Sequence, residues 1–204
     1  MRIVYLHGFA SSPASKKARF FAERIPGLLV PDLSEGDFFG LTITRQLQVI
    51  EHAAGTEEVA LIGSSLGGYL AALYAARRPR QVTRVVLMAP AFHFAARWAE
   101  SLGSAKMASW QATGRLRLFH YGEAADTDLA WSLMEDARRY EGEPDVPQPC
   151  LIFHGISDDV VPVESSRLFA QTHPNVRLVE LDSGHELLNV TGRMWDESRA
   201  FLDL

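Results

Sequence analysis

Short apolar runs alternate with longer amphipathic ones along this chain. The runs near 2–6, 28–30, 58–62, 83–89, 149–153 and 176–181 have the length of buried strands, and the stretches near 14–24, 40–54, 66–78, 163–172 and 187–202 carry helical periodicity. This βαβ rhythm predicts an α/β fold: a parallel sheet covered by helices on both faces, with ligands bound at the carboxyl ends of its strands. The rhythm breaks between Ala91 and Gln148, where two strands stand about sixty residues apart, far more than one helix and two short loops need. An insertion at about 92–146 fills that gap, and its aromatic residues, among them Phe94, Trp98, Trp110, Phe119 and Trp131, exclude a disordered linker. It is expected to fold as a helical cap over the sheet. Most of its aromatics serve to fix it to the body, while a few, with Trp110 and Phe119 foremost, are expected to line a substrate pocket.

Composition narrows the class without changing the fold. A chain of 204 residues fits a single domain, 1–204, with the insertion as part of it, and one core of that size needs no disulfide or metal. The lone cysteine, Cys150, opens an apolar run and reads as a buried structural thiol. A net charge of -5 argues against nucleic acid as a partner, and Lys16-Lys17 and Arg77-Arg78 read as solvated helix faces. The first apolar run, Ile3 to Leu6, is too short for a signal peptide, and no later run approaches the length of a membrane span. The expectation is a soluble cytoplasmic protein without a membrane partner.

Chemistry concentrates at Gly63-Ser64-Ser65-Leu66-Gly67, which joins the strand-like Val59–Ile62 to the helix-like Tyr69–Ala76. A serine on so sharp a turn is held in a strained backbone conformation that lifts its hydroxyl above the sheet, and small residues two before and two after it avoid clashes. Ser65 is therefore a candidate nucleophile, provided that a histidine can take its proton and a carboxylate can orient that histidine. His185, in the loop Asp182-Ser183-Gly184-His185-Glu186 after the last strand, is placed to do the first. His7 and His154, each followed by glycine at a strand end, read as loop braces, and His52, His93, His120 and His173 as surface or packing residues. The carboxylate is expected from the turn His154-Gly155-Ile156-Ser157-Asp158-Asp159-Val160-Val161-Pro162, where two aspartates compete. Only one of two neighbouring side chains can face the imidazole; spacing from Gly155 and Pro162 favours Asp158, leaving Asp159 to cap the turn or the next helix. Backbone N–H groups of Leu66 and Phe9 are the expected oxyanion donors, with Gly8 turning the Phe9 N–H inward and the Phe9 ring walling the acyl site. No cofactor motif occurs, and no cluster at metal-ligand spacing.

Ser65, Asp158 and His185 in that order, with His7-Gly8 upstream and the Gly155–Pro162 turn downstream, resemble the α/β-hydrolase superfamily across nearly the whole chain. The opening Tyr5-Leu6-His7-Gly8-Phe9-Ala10-Ser11-Ser12-Pro13 is similar to that of the small bacterial YqiA-type esterases, which begin directly on the oxyanion-loop strand. The resemblance implies an α/β-hydrolase fold of about six parallel strands in the order 2-1-3-4-5-6 and hydrolysis of a small-molecule carboxylic ester or thioester through an acyl-enzyme. An acyltransferase, a C–C hydrolase or a peptidase would use the same three residues, and a non-catalytic small-molecule receptor could keep the fold. The insertion, at Trp110–Arg115 and Phe119–Gly122, departs from that subfamily, so its substrate is not carried over.

Overall fold

The central strands read as continuous apolar runs because both faces of the sheet are covered. The computed structural model describes residues 1–204, and its central sheet contains β1 (Arg2–Leu6), β2 (Val59–Ser64), β3 (Val82–Met88), β6 (Cys150–Gly155) and β7 (Val176–Leu181), all parallel and adjacent in that order. Alternate residues of one strand enter different cores, since strand side chains point to opposite faces in turn. Val4 and Leu6 join the larger core while Ile3 and Tyr5 join the smaller one, and Leu61 and Ile62 divide in the same way. The smaller core is closed by α1 (Lys16–Ala22) and α7 (Thr191–Leu202), the larger by α2 (Ile43–Ala54), α3 (Leu66–Arg77) and α6 (Val163–Thr172). No helix is long and apolar enough to cross a membrane.

The expected sixth strand near 28–30 is reduced to one bridge. Leu29 pairs in parallel with Val4, accepting from the Tyr5 N–H at 2.8 Å and donating to the Ile3 carbonyl at 3.0 Å. It lies beside β1 at the edge the order 2-1-3-4-5-6 requires, so the topology holds with five full strands. Pro26-Gly27 and Pro31 flank this segment, and proline cannot donate to a ladder.

The insertion is only partly helical. It runs through α4 (Phe94–Thr113), an antiparallel hairpin of β4 (Arg115–His120) and β5 (Ala125–Ala130), and α5 (Ser132–Ala137). Gly103, at φ 75° and ψ 159°, breaks the helical path of α4 into two halves. The hairpin docks on the body through Gly122 N–H to the Ala10 carbonyl and Ala130 N–H to the Phe39 carbonyl. Gly122 packs so closely on Ser11 and Ser12 that a Cβ there would lie 2.9 Å from the Ser12 Cβ. A purely helical cap is therefore corrected to a helix, a hairpin and a short helix, tied to the loop that follows β1.

Candidate active site

Ser65 stands between β2 and α3 at φ 54° and ψ -117°, a conformation that L-residues rarely adopt. Its N–H donates to the Met88 carbonyl at 2.9 Å, and its carbonyl accepts from Ala91 and Tyr69 N–H at 3.0 and 3.1 Å, so three hydrogen bonds fix the strained residue. A Cβ on Gly63 would collide with the Gly67 carbonyl, and one on Gly67 with the Leu6 and His7 carbonyls. The turn thus admits no side chain at either position. Ser64 is buried beside Tyr5, which leaves Ser65 as the serine that faces the site.

Three residues from three strand ends meet here. The Ser65 Oγ lies 3.1 Å from His185 Nε2, and His185 Nδ1 lies 2.8 Å from Asp158 Oδ2. The carboxylate can only accept from Nδ1 when ionised, so Nδ1 carries the proton and Nε2 is left to accept from the serine hydroxyl. Burial alone would raise the pKa of Asp158, but hydrogen bonds from His154, His185 and the Val161 N–H outweigh it and hold the carboxyl well below the usual range. Asp158 also closes its own turn, its Oδ1 accepting from the Val160 and Val161 N–H groups at 2.9 and 2.8 Å. Asp159 is exposed, and α6 begins at Val163, after Pro162, without a side-chain cap. The turn-closing part expected of Asp159 therefore belongs to Asp158, which has an oxygen for each task.

The loop after β1 lies against Ser65: a Cβ on Gly8 would come 3.5 Å from that of the serine. The N–H groups of Phe9 and Leu66 make no hydrogen bond within the protein, Leu66 because it opens a helix. The residue of the loop in the left-handed region is Ala10, at φ 49°. His7 is fixed neutral: its Nε2 accepts from the Leu33 N–H at 3.3 Å, its Nδ1–H donates to the Gly8 carbonyl at 3.0 Å, and burial lowers its pKa. It braces the loop, as expected.

Beside Phe9 the insertion supplies an aromatic wall, with Trp98 at 4.9 Å and Phe94 at 6.3 Å between ring centroids and Phe38 at 5.5 Å from the body. Trp110 stands behind that wall, 1% exposed, edge-on to Trp98 and Trp131, with its indole N–H donated to the Leu129 carbonyl. Phe119 turns to the outer face of the hairpin, 47% exposed, against Tyr121. The structure thus places neither Trp110 nor Phe119, the residues expected to line a pocket, against Phe9; Trp98 and Phe94 stand there instead. Leu118 and His120 occupy the inner face, and one-residue alternation decides which side chain points in. A cleft of about 400 Å³ runs along His185 between Asp159, Val160, Gly184 and Leu188. A second cavity, about 390 Å³, is lined by Tyr69, Phe94, Ala99 and Tyr140 and does not include Ser65 in its lining. No group of three or more His, Cys, Asp or Glu side chains converges as metal ligands would.

Solved structures share this architecture. Alpha/beta hydrolase domain-containing protein 10 from mouse superposes with a TM-score of 0.79 at 20% identity, over 98% of this chain and 89% of that one. Est1E from Butyrivibrio proteoclasticus, solved with ferulic acid bound, gives 0.79 at 20% identity over 98% and 87%. A structure reported for the metagenome-derived lipolytic enzymes LipS and LipT gives 0.72 at 20% identity over 98% and 92%. These likenesses are of fold, and they make the chain an α/β-hydrolase in architecture. No curated protein matches it in sequence. The model of one family, described as Uncharacterised protein family (UPF0227), matches residues 2–201, nearly the whole length, and the chain belongs to that family.

Proposed function

We propose that the protein is a serine hydrolase that cleaves carboxylic esters or thioesters of small molecules through an acyl-enzyme. The observation that carries this reading is the continuous hydrogen-bonded path from Ser65 Oγ through His185 to Asp158. His185 Nε2 takes the Ser65 proton as Oγ attacks the acyl carbon, and the carbonyl π pair moves onto oxygen. The free N–H groups of Phe9 and Leu66 receive that charge. The tetrahedral intermediate collapses as imidazolium Nε2–H protonates the departing alcohol or thiol, which leaves along the cleft beside His185. Water then gives up a proton to Nε2, attacks the acyl-enzyme, and the acid departs as Ser65 regains its proton. Asp158 stays ionised throughout and stabilises the imidazolium, consistent with the several donors that hold it as a carboxylate.

The aromatic wall of Phe9, Phe94 and Trp98 favours apolar acyl groups over charged ones. The 92–146 insertion acts in this reading as a fixed cap over the acyl side. The ester-hydrolase neighbours agree with the reading at the level of fold. A fluorophosphonate probe and a panel of p-nitrophenyl esters of graded acyl length test it: labelling and turnover that both vanish in Ser65→Ala support it, and a wild-type protein that neither labels nor turns over any ester overturns it.

A further inference from the structure

A second histidine reaches the same oxygen of Asp158 as His185 does. His154, at the end of β6, is fully buried; its Nε2 lies 2.8 Å from the Val161 carbonyl and 3.2 Å from Asp158 Oδ2. A carbonyl only accepts, so Nε2 carries the proton and shares it between the two oxygens. Nδ1 lies 2.7 Å from the hydroxyl of Ser166, which is also fully buried and donates to it. Both nitrogens are thus committed, and the ring has one tautomer and one orientation. We infer that His154 is a positioning residue for the proposed hydrolase site, its Nε2–H holding the Asp158 carboxylate in register with His185; the inference rests on that reading of the site.

Asp158 Oδ1 is occupied by two backbone N–H groups and Oδ2 by two imidazoles, so the carboxylate has four donors. The two backbone donors hold Oδ1, and His154 is the one contact besides His185 on Oδ2, the oxygen that meets the base. It also draws charge from Oδ2, which moderates the pull of Asp158 on the His185 imidazolium. The other charges around the network are Lys17 from α1, which donates to the Glu186 carbonyl at 2.8 Å and lies in the field of Asp158, Glu186 itself, Glu180 from β7, which lies in the field of His154, and exposed Asp159. None of them changes in the variants below.

The test compares His154→Asn, whose shorter amide still meets Ser166 but falls short of Asp158, with His154→Gln, whose amide reaches as far as Nε2. kcat and KM for a p-nitrophenyl ester are measured for both and for wild type. His154→Asn is expected to lose about 10- to 100-fold in kcat, the usual effect of a hydrogen bond to a charged acceptor, with KM little changed. His154→Gln is expected to keep most of the rate. A folded His154→Asn with wild-type kcat, or a folded His154→Gln that loses as much as His154→Asn, overturns the inference. If that variant does not fold, His154→Phe, which fills the volume without a donor, takes its place under the same criteria. NMR of the His185 Nδ1–H in the Ser65→Ala background reads its hydrogen bond to Asp158 without turnover: the signal should weaken in His154→Asn and persist in His154→Gln. Absence of Ser65-dependent hydrolysis in the wild type would refute the hydrolase reading, whereas an unchanged His185 Nδ1–H signal in His154→Asn would refute the positioning role alone.

Discussion

Ser64 and Ser65 are chemically identical, and only backbone geometry separates them. Ser65→Ala is expected to abolish turnover and phosphonylation, and Ser64→Ala to keep most of both; equal labelling of the two variants would show that the strained turn does not select the nucleophile. The neighbouring aspartates part as sharply. Asp158→Asn removes the charge that fixes the His185 tautomer and is expected to lower kcat by up to about 10⁴-fold. Exposed Asp159, which caps nothing, is expected to leave both rate and stability nearly unchanged as Asn. Asp158 also predicts an acid effect. Its folded pKa lies below the value of about 3.9 expected in the unfolded chain, so the stability it contributes is complete above that pH and is lost as pH falls through the folded pKa. The gap in Tm between wild type and Asp158→Asn should therefore narrow below about pH 4, and a gap that widens there would contradict the assignment. Ser65, His185 and Asp158 were legible because each follows a strand whose direction the apolar pattern sets. The left-handed turn at Ala10 was not, since nothing about alanine announces positive φ and Gly8, two residues earlier, offered the obvious hinge.

At the scale of elements, the central strands β2 and β6 were legible because burial on both faces leaves almost no polar position to confuse the pattern, and the edge strand β7 because its length and flanking turns still mark a strand. The hairpin was hidden by the opposite circumstance. In β4 the arginines at 115 and 117 alternate with leucines as a half-buried strand should, but β5 reads Ala-Asp-Thr-Asp-Leu-Ala, with two aspartates and two alanines and little β propensity. Its pairing is set by contact with β4 and by docking at Phe39, which are tertiary facts. The orientation of α4 was equally unreadable, because the glycine break at 103 resets which of its residues face the body. Phe94→Ala and Trp98→Ala are expected to change the ratio of kcat/KM between short and medium acyl chains by about tenfold, since a hydrophobic contact discriminates on that scale. Phe119→Ala should leave that ratio within about twofold of wild type, as for other exposed substitutions. Profiles over the p-nitrophenyl ester panel decide this, and a Phe119 variant with altered selectivity would place the outer face of the hairpin against substrate.

Across the molecule, the three residues of the relay hang from strands of unequal support. Ser65 follows β2, which is paired on both sides and wholly buried. Asp158 follows β6, likewise paired on both sides. His185 follows β7, which pairs with β6 alone, lies at the sheet edge and buries only its last residue fully. Strands with fewer buried contacts open locally at lower free energy than the global unfolding of the chain. Opening of β7 would remove the base while nucleophile, oxyanion donors and most of the core stay in place. Mild denaturant should therefore silence the protein before it melts: in a urea titration the midpoint for loss of turnover should fall below that for loss of helical circular dichroism. Cys150, buried on β6 with its thiol pKa pushed up by burial, should stay unreactive toward thiol reagents through the first transition and react in the second. Amide exchange should be faster along Val176–Leu181 than along Val59–Ser64. Coincident midpoints would mean that the edge strand is bound as firmly as the centre, whereas separated ones would make the histidine a detachable part of an otherwise intact scaffold.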